Sequence, residues 1–122
     1  SKEKYMRMWM TATKTMCRKH LLGEHRELHA FVGTLKKNRK VDGYIQNNLL
    51  EATSLQSRHE DIVEEMKKRR WNHKSPLPDV SEIVEKRRLF YKIDRENSKK
   101  DLLGRCLECR TKTENEENIG IS

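Results

Sequence analysis

CRKHLLGEHRELHAFVG, the stretch at residues 17–33, decides the fold of this chain. Its apolar residues recur at three-, four- and seven-residue steps, a spacing that predicts one amphipathic helix with an apolar stripe facing the core. The stripe consists of Leu21, Leu28, Phe31 and, just beyond the stretch, Leu35.

The polar residues of the same helix gather on one side of it. His20, Glu24 and Glu27 follow one another at helical spacing, and residues three or four apart are neighbours on a helix surface. Gly23 and Arg26 lie beside them, and a glycine lets another backbone come close. We therefore expect a functional site here rather than a solvated face.

The composition indicates one small, basic domain. Of the 122 residues, 34% are hydrophobic and 38% are charged, which predicts a thin core and strongly two-faced helices. The formal charge of +8 favours nucleic acid over membrane as the partner. No apolar run approaches a membrane span, and no secretory signal is recognisable, so the expected location is the cytoplasm, at the nucleoid. Three cysteines argue against a disulfide framework.

The remaining segments also read as helices separated by turns. Thr13 and Thr15 are the candidate N-caps of the first long helix, which should end near residue 37. A short helix follows at residues 44–50, and a third helix is expected at residues 79–90, after the prolines of residues 75–78. A last short helix at residues 99–103 has Ser98 as its candidate cap. The second long helix lies between these, with an inward stripe of Leu55, His59, Ile62, Val63 and Met66.

The expected fold class is all-α, a compact single domain of about three main helices with a short C-terminal helix and a flexible tail. Residues 1–5 are predicted to be a flexible lead, residues 6–110 the helical DNA-binding domain, and residues 111–122 a flexible acidic tail.

Two blocks resemble the pyrimidine-dimer DNA glycosylase (endonuclease V) family. His20-Leu-Leu-Gly-Glu-His-Arg-Glu-Leu28 is similar to the first helix of that family. Ser57-Arg-His-Glu-Asp-Ile-Val-Glu-Glu-Met-Lys-Lys-Arg-Arg-Trp-Asn-His-Lys-Ser75 is similar to its later helix and the turn that follows. The first block is the more specific, because its polar residues stand at fixed spacing.

The resemblance implies a DNA repair enzyme, a glycosylase with AP-lyase activity that works through an amine–sugar imine. In the family the nucleophile is the N-terminal α-amine, which falls at Met6, 14 positions before His20. Glu27 inherits the role of the catalytic carboxylate, Arg26 a phosphate or flipped-nucleotide contact, and His20 a supporting polar contact. The implied partner is double-stranded DNA with damaged or abasic sites. No cofactor is implied, and we expect a monomer.

Two features of this chain depart from the family pattern. Five residues precede Met6, so either the active form begins at Met6, or the lead folds back, or the fold persists without lyase chemistry. The last case would leave a non-catalytic DNA- or protein-binding module. The tyrosine-rich C-terminal segment of the family is replaced by a cysteine pair and an acidic tail, with Trp71 and Tyr91 as the candidate substitutes. The lesion therefore stays undecided.

Basic clusters near the predicted helix ends are the candidate DNA contacts. Cations in a last helical turn also suit the helix macrodipole, so a purely structural reading of these clusters stays open. Phosphate contacts would make affinity fall steeply with salt. The predicted contacts are Arg7, Arg26, Lys36, Lys37, Arg39, Lys40, Lys67, Lys68, Arg69 and Arg70.

The chain also contains two incomplete metal-binding patterns. Cys106 and Cys109 supply two ligands where a structural zinc site needs four, and Cys17, His73 or another histidine would have to complete the set. A small zinc-containing nucleic-acid adaptor is the corresponding third hypothesis. His25 and His29 stand four apart on a helix, but not in the metalloprotease order. Since neither pattern is complete locally, the predicted site contains no metal, and His20 and His59 are expected to be structural.

Overall fold

The structure, a computed structural model, describes residues 6–73 and 75–121, with side chains up to residue 119. Within these ranges the chain forms six α-helices and no strand, which confirms the all-α prediction. Short 3₁₀ turns occur at Thr13–Thr15 and Ala52–Ser54. The helices are α1 (Arg18–Lys36), α2 (Asp42–Gln46), α3 (Leu55–Lys68), α4 (Ser81–Lys86), α5 (Arg95–Arg105) and α6 (Leu107–Ile121).

The predicted stripe of α1 forms the centre of the core. Leu21, Leu28 and Phe31 are 0% exposed, and Leu35 is 1% exposed. Burying such side chains contributes about 1.5–3 kcal/mol each. The stripe therefore holds α1 against the other helices, as its spacing predicts.

The stripe of α3 differs in part from its prediction. Leu55, His59, Ile62 and Met66 are buried, whereas Val63 is only half-buried. The buried face of α3 also takes in Arg58 and Glu65, which the apolar pattern leaves out.

Helices α1 and α3 run antiparallel. Arg58, near the start of α3, pairs with Glu24 in the middle of α1, whereas Arg69, after the end of α3, bonds to the carbonyl of Met16, before the start of α1. The end of α3 consequently lies beside the start of α1.

The start of α1 corrects the predicted cap. The N-cap is Cys17, whose Sγ accepts the backbone N–H of His20. Thr13 and Thr15 instead belong to the preceding 3₁₀ turn, in which the Thr15 hydroxyl donates to the Ala12 carbonyl at 2.8 Å.

The shorter helices differ from prediction at their ends. Helix α2 begins and ends earlier than residues 44–50, and α4 is shorter than residues 79–90 because Arg88 adopts a φ of 55° and ends it. Helix α5 begins earlier than expected, because the side chain of Asp94 caps it by accepting the N–H of Asn97. Ser98, the predicted cap, is buried and donates to the Trp9 carbonyl.

Residues 111–121 are helical rather than a flexible tail. Cys109 and Thr113 are buried, and Lys14 pairs with Glu116 at 2.9 Å. These contacts dock α6 on the segment before α1, so the helix continues across residue 110, the boundary predicted from composition. The predicted lead, residues 1–5, lies outside the described residues.

Among the helices described, none combines the length and apolarity needed to cross a membrane.

Candidate active site and two clusters of metal-ligating side chains

The carboxylate of Glu27 lies against the N-terminal segment of the described chain. The backbone N–H of Arg7 faces this carboxylate and favours its ionised form. Burial raises the pKa of Glu27 to about 7, with a further rise from Glu24, while the Arg7 N–H and the Arg7 and Arg26 charges oppose the shift. A group with this pKa can both accept and donate a proton near neutrality.

The segment that reaches Glu27 is held in place by several contacts. The Met8 N–H donates to the Leu49 carbonyl at 2.7 Å. The Arg7 guanidinium pairs with Asp101 at 2.6 Å and lies 3.5 Å from the centre of the Trp9 ring. Arg7, a predicted DNA contact, therefore has its charge engaged inside the protein, where it anchors the backbone next to Met6.

A buried ion pair lies beside this segment. Glu24, which is 0% exposed, accepts two hydrogen bonds from Arg58 at 2.7 and 2.9 Å, and Arg58 also donates to the Thr11 carbonyl at 2.8 Å. Sequence analysis missed Arg58. The available signal was its place on the buried face of α3, between Leu55 and Ile62.

The space around Gly23 corrects an expectation. A Cβ added at Gly23 would meet nothing within 4 Å, so no described backbone approaches it. Gly23 is half-buried and stands four residues before Glu27, and Arg26 is exposed. Among the described residues, nothing therefore occupies the position that a side chain at residue 23 would take.

The basic clusters lie at opposite ends of the antiparallel pair. The first, at the end of α1, contains the exposed residues Lys36, Lys37, Arg39 and Lys40. The second, at the end of α3, contains the exposed residues Lys67, Lys68 and Arg70. Because α1 has 19 residues, about 28 Å of helix separates the two clusters.

Arg69, which sequence analysis grouped with the second cluster, is engaged differently. Its guanidinium bonds to Glu65 at 2.8 Å and to the carbonyls of Thr13 and Met16 at 3.1 and 2.7 Å. Trp71 lies beside it, with the Arg18 guanidinium 4.7 Å from the ring centre. Arg69 thus joins α3 to the segment before α1.

His20 lies among the three cysteines of the chain. Its Nδ1 is 3.2 Å from the Sγ of Cys17 and 3.8 Å from the Sγ of Cys109, and the Cys106 Sγ is 3.8 Å from that of Cys17. All four ligand atoms fall within 4.8 Å of one another. We call this group the Cys3His cluster.

The other four histidines form a second group. His25 and His29 come from α1, His59 from α3, and His73 from the segment after α3; their ligand nitrogens also lie within 4.8 Å of one another. Burial lowers the pKa of His25 to about 4, with further lowering by repulsion from the other three rings. We call this group the four-histidine cluster.

The sequence comparison bears on the part of the chain that contains Glu27. A family model described as pyrimidine dimer DNA glycosylase matches residues 6–79, more than half of the chain. The chain belongs to this family. The match confirms the resemblance carried by the first and third helices. It includes Met6, Glu27 and the four-histidine cluster, and it ends before Cys106 and Cys109.

Searches of curated proteins and of solved structures gave no match to the chain.

Proposed function

We propose that this protein is a DNA glycosylase with AP-lyase activity, which excises damaged bases, pyrimidine dimers among them, through an imine between an α-amine and the sugar. The single observation that carries the proposal is the approach of the Arg7 backbone N–H to the carboxylate of Glu27, whose pKa that N–H lowers. The backbone nitrogen of Met6 precedes that N–H by one residue, a span of at most about 4 Å, which supports Met6 as the source of an amine beside the carboxylate that the family motif assigns to catalysis.

The reaction needs an amine that is partly neutral near pH 7. An α-amine, with a pKa of about 7.7–8.0, meets this need far better than a lysine near 10.4. A peptide nitrogen cannot attack, so the active form begins at Met6. The five residues before it lie outside the described residues.

The reaction is a sequence of bond changes at the sugar of the damaged nucleotide. The neutral amine attacks C1′ of the damaged nucleotide, the glycosidic bond breaks, and the base leaves with that electron pair and takes up a proton. Ring opening then produces an imine. Glu27 stabilises the cationic sugar and removes a proton from C2′. The bond from C3′ to the phosphate oxygen breaks, and water later hydrolyses the imine to restore the amine.

Access to C1′ requires a distorted duplex with a nucleotide turned out of the stack. Damaged steps cost less to distort, which favours them as substrates. The open position at Gly23, about one helical turn before Glu27, supports an approach of the sugar-phosphate backbone at this point.

The exposed lysines and arginines support duplex binding. The clusters at the ends of α1 and α3 stand about 28 Å apart, a length of about eight base pairs, with Arg26 exposed on α1 between them. Arg7 and Arg69 act within the protein and are left out of this surface.

Borohydride trapping on a duplex with one abasic site tests the proposal. We expect the form that begins at Met6 to give a covalent adduct at its α-amine and to cleave the strand, and Glu27→Gln in that form to lose the cleavage, because the variant has no carboxylate to remove the C2′ proton. Glu60→Gln, which changes an exposed glutamate on α3, is the matched control and should leave trapping and cleavage unchanged. Circular dichroism verifies that each variant is folded.

Two results would overturn the proposal. Absence of an adduct from both the Met6 form and the full chain, with duplex binding retained, would favour the non-catalytic binding module. An adduct mapped to a lysine would exclude the α-amine mechanism.

A further inference from the structure

We propose that the Cys3His cluster, Cys17, His20, Cys106 and Cys109, is a structural zinc site. The starting observation concerns the whole chain, which contains three cysteines and five histidines. All eight fall into the two four-membered clusters. Cysteines and histidines without a shared role would not be expected to collect in two groups of four.

The distances in the Cys3His cluster fit zinc. In a tetrahedral site with Zn–S near 2.3 Å and Zn–N near 2.0–2.1 Å, neighbouring sulfurs stand about 3.8 Å apart, and sulfur and nitrogen about 3.6 Å. The Cys17 and Cys106 sulfurs are 3.8 Å apart, and the His20 Nδ1 lies 3.2 and 3.8 Å from two of the sulfurs. Three cysteines and one histidine are a known structural zinc set.

Each sulfur also receives a backbone N–H, which favours the thiolate form that binds a metal. The His20 N–H approaches the Cys17 Sγ at 3.4 Å, the Cys109 N–H the Cys106 Sγ at 3.4 Å, and the Cys17 N–H the Cys109 Sγ at 3.2 Å. Such donors stabilise negative sulfur and orient the ligands. All three cysteines are free thiols, whereas a disulfide would require sulfurs about 2.05 Å apart.

The position of the site explains what the ion would do. Cys17 caps α1 and His20 lies in its first turn, while Cys106 precedes α6 and Cys109 lies in its first turn. Zinc would therefore fasten the C-terminal helix to the start of α1. Its role is to stabilise the fold, since metal binding that requires a folded site contributes directly to folding free energy.

A different observation carries a second site, and we infer that the four-histidine cluster binds a first-row transition-metal dication. The Nε2 atoms of His25, His29, His59 and His73 are all buried without a hydrogen-bond partner. Leaving a buried polar group unpaired costs about 1–3 kcal/mol, and a cation at the common centre would serve all four nitrogens at once.

The donor set decides which ions suit this site. Four imidazoles suit zinc, copper, nickel or iron(II), whereas magnesium and calcium take oxygen ligands.

The four-histidine site lies away from the proposed reaction. His25 and His29 each stand two positions from Glu27, about 200° around the axis of α1. A metal there would join α1 to α3 and to the segment after it, so this inference does not depend on the proposed glycosylase chemistry.

Metal analysis of the full chain, purified without added metal, tests both sites. We expect about two metal ions per chain. Cys106→Ser and His73→Gln each alter a half-buried residue, and each should remove one ion and keep the other, so that each variant is the control for the second. In protein reloaded with cobalt(II), the thiolate-to-metal absorption should vanish in Cys106→Ser and persist in His73→Gln.

The outcomes separate the two sites. Loss of one ion in only one of the variants would sustain that site and overturn the other. A metal-free chain that takes up none of Zn²⁺, Cu²⁺, Ni²⁺ and Fe²⁺ by calorimetry, and whose thermal midpoint none of these ions raises, would overturn both. Should a variant fail to fold, the stoichiometry and thermal shift of the unaltered chain still decide.

Discussion

Gly23 and Glu27 stand four residues apart on α1, and the open space at Gly23 is the most easily filled part of the proposed active site. Apart from its chain neighbours and the adjacent backbone of α1, an added Cβ would meet no described atom within 4 Å. Filling this space should therefore leave the fold intact while it impedes the substrate.

Gly23→Ala should raise the free energy of unfolding by about 1 kcal/mol, because alanine is the better helix former. It should slow cleavage of abasic DNA by about ten- to hundredfold, because the methyl group displaces the sugar from Glu27. Urea unfolding and single-turnover kinetics measure the two effects.

Gly33→Ala is the matched control, since Gly33 is also within α1 and an added Cβ there would also meet nothing within 4 Å. It should gain similar stability and keep full activity. Equal activity of the two variants would contradict a substrate approach at Gly23.

Glu51 illustrates a different residue-scale effect, a buried carboxylate that stabilises the fold only while it is ionised. It accepts the Ile93 N–H at 2.8 Å, two bonds from Arg95 at 3.1 Å, and the Ser54 hydroxyl. Burial by itself would raise the pKa of Glu51, but the bonds from Arg95, Ser54 and Ile93 outweigh it and hold the pKa below 4.5.

Glu51→Gln should lower the free energy of unfolding by about 2 kcal/mol at pH 7. Because the folded-state pKa is lowered, the stabilisation by the carboxylate is present above the ordinary pKa and is lost as pH falls through the folded-state value. The difference in the free energy of unfolding between the variant and wild type should therefore be smaller at about pH 3 than at pH 7. Chemical denaturation at both pH values measures it, with exposed Glu96→Gln as the control; a difference independent of pH would refute this account.

At the scale of single helices, four helices are followed by a residue in the left-handed conformation that is not glycine. These residues are Asn38, Asn48, Arg70 and Arg88, with φ between 55° and 64°. After α3 and α4 the next N–H reaches back five residues, from Trp71 to Met66 and from Leu89 to Val84, as in a Schellman motif. Arginine in this conformation is strained.

Arg88→Gly should raise the free energy of unfolding by about 1 kcal/mol, because glycine adopts positive φ without steric cost. Arg87→Gly removes the same charge at a residue with a φ of −85°, and it should give no gain. Equal changes in urea denaturation for the two variants would show that charge, not backbone conformation, is responsible.

Helix α6 shows why composition predicted a flexible tail where the structure has a helix. Its residues are mostly polar, so no apolar face predicts docking. The segment is nevertheless held through buried Cys109 and Thr113 and through ion pairs of Glu116 and Glu117 with Lys14 and Lys99.

At the scale of the whole molecule, the net charge of +8 is distributed with a basic cluster at each end of the α1–α3 pair. DNA affinity should then depend on particular lysines and not only on total charge. Salt dependence distinguishes the two cases, because its slope reflects how many phosphates the protein neutralises.

Lys67→Glu combined with Lys68→Glu should weaken binding to an abasic duplex and reduce the salt slope by about 1 for each phosphate that the variant no longer neutralises. Lys100→Glu with Arg110→Glu makes the same charge change at exposed positions of α5 and α6. This control should have the smaller effect. Fluorescence anisotropy across a salt series measures both, and identical slopes for the two double variants would exclude phosphate binding at the end of α3.

The apolar stripe of α1, most of the stripe of α3 and the family motif could be read from the sequence, because each depends on neighbours three to seven positions apart. The bounds of α2, α4 and α5 could not, since they are set by left-handed residues and by the Asp94 cap. The open space beside Gly23 also depends on what packs nearby, which no local pattern reports.

By itself, the sequence determined the class of fold and the family, since helical periodicity and the polar motif are local properties. Only the tertiary structure decided that Glu27 meets the Arg7 N–H, that Glu24 is neutralised by Arg58, and that every cysteine and histidine belongs to a four-membered cluster. These contacts join residues up to 92 positions apart. Their partners are chosen by the packing of the helices, and the spacing within any one helix contains no information about them.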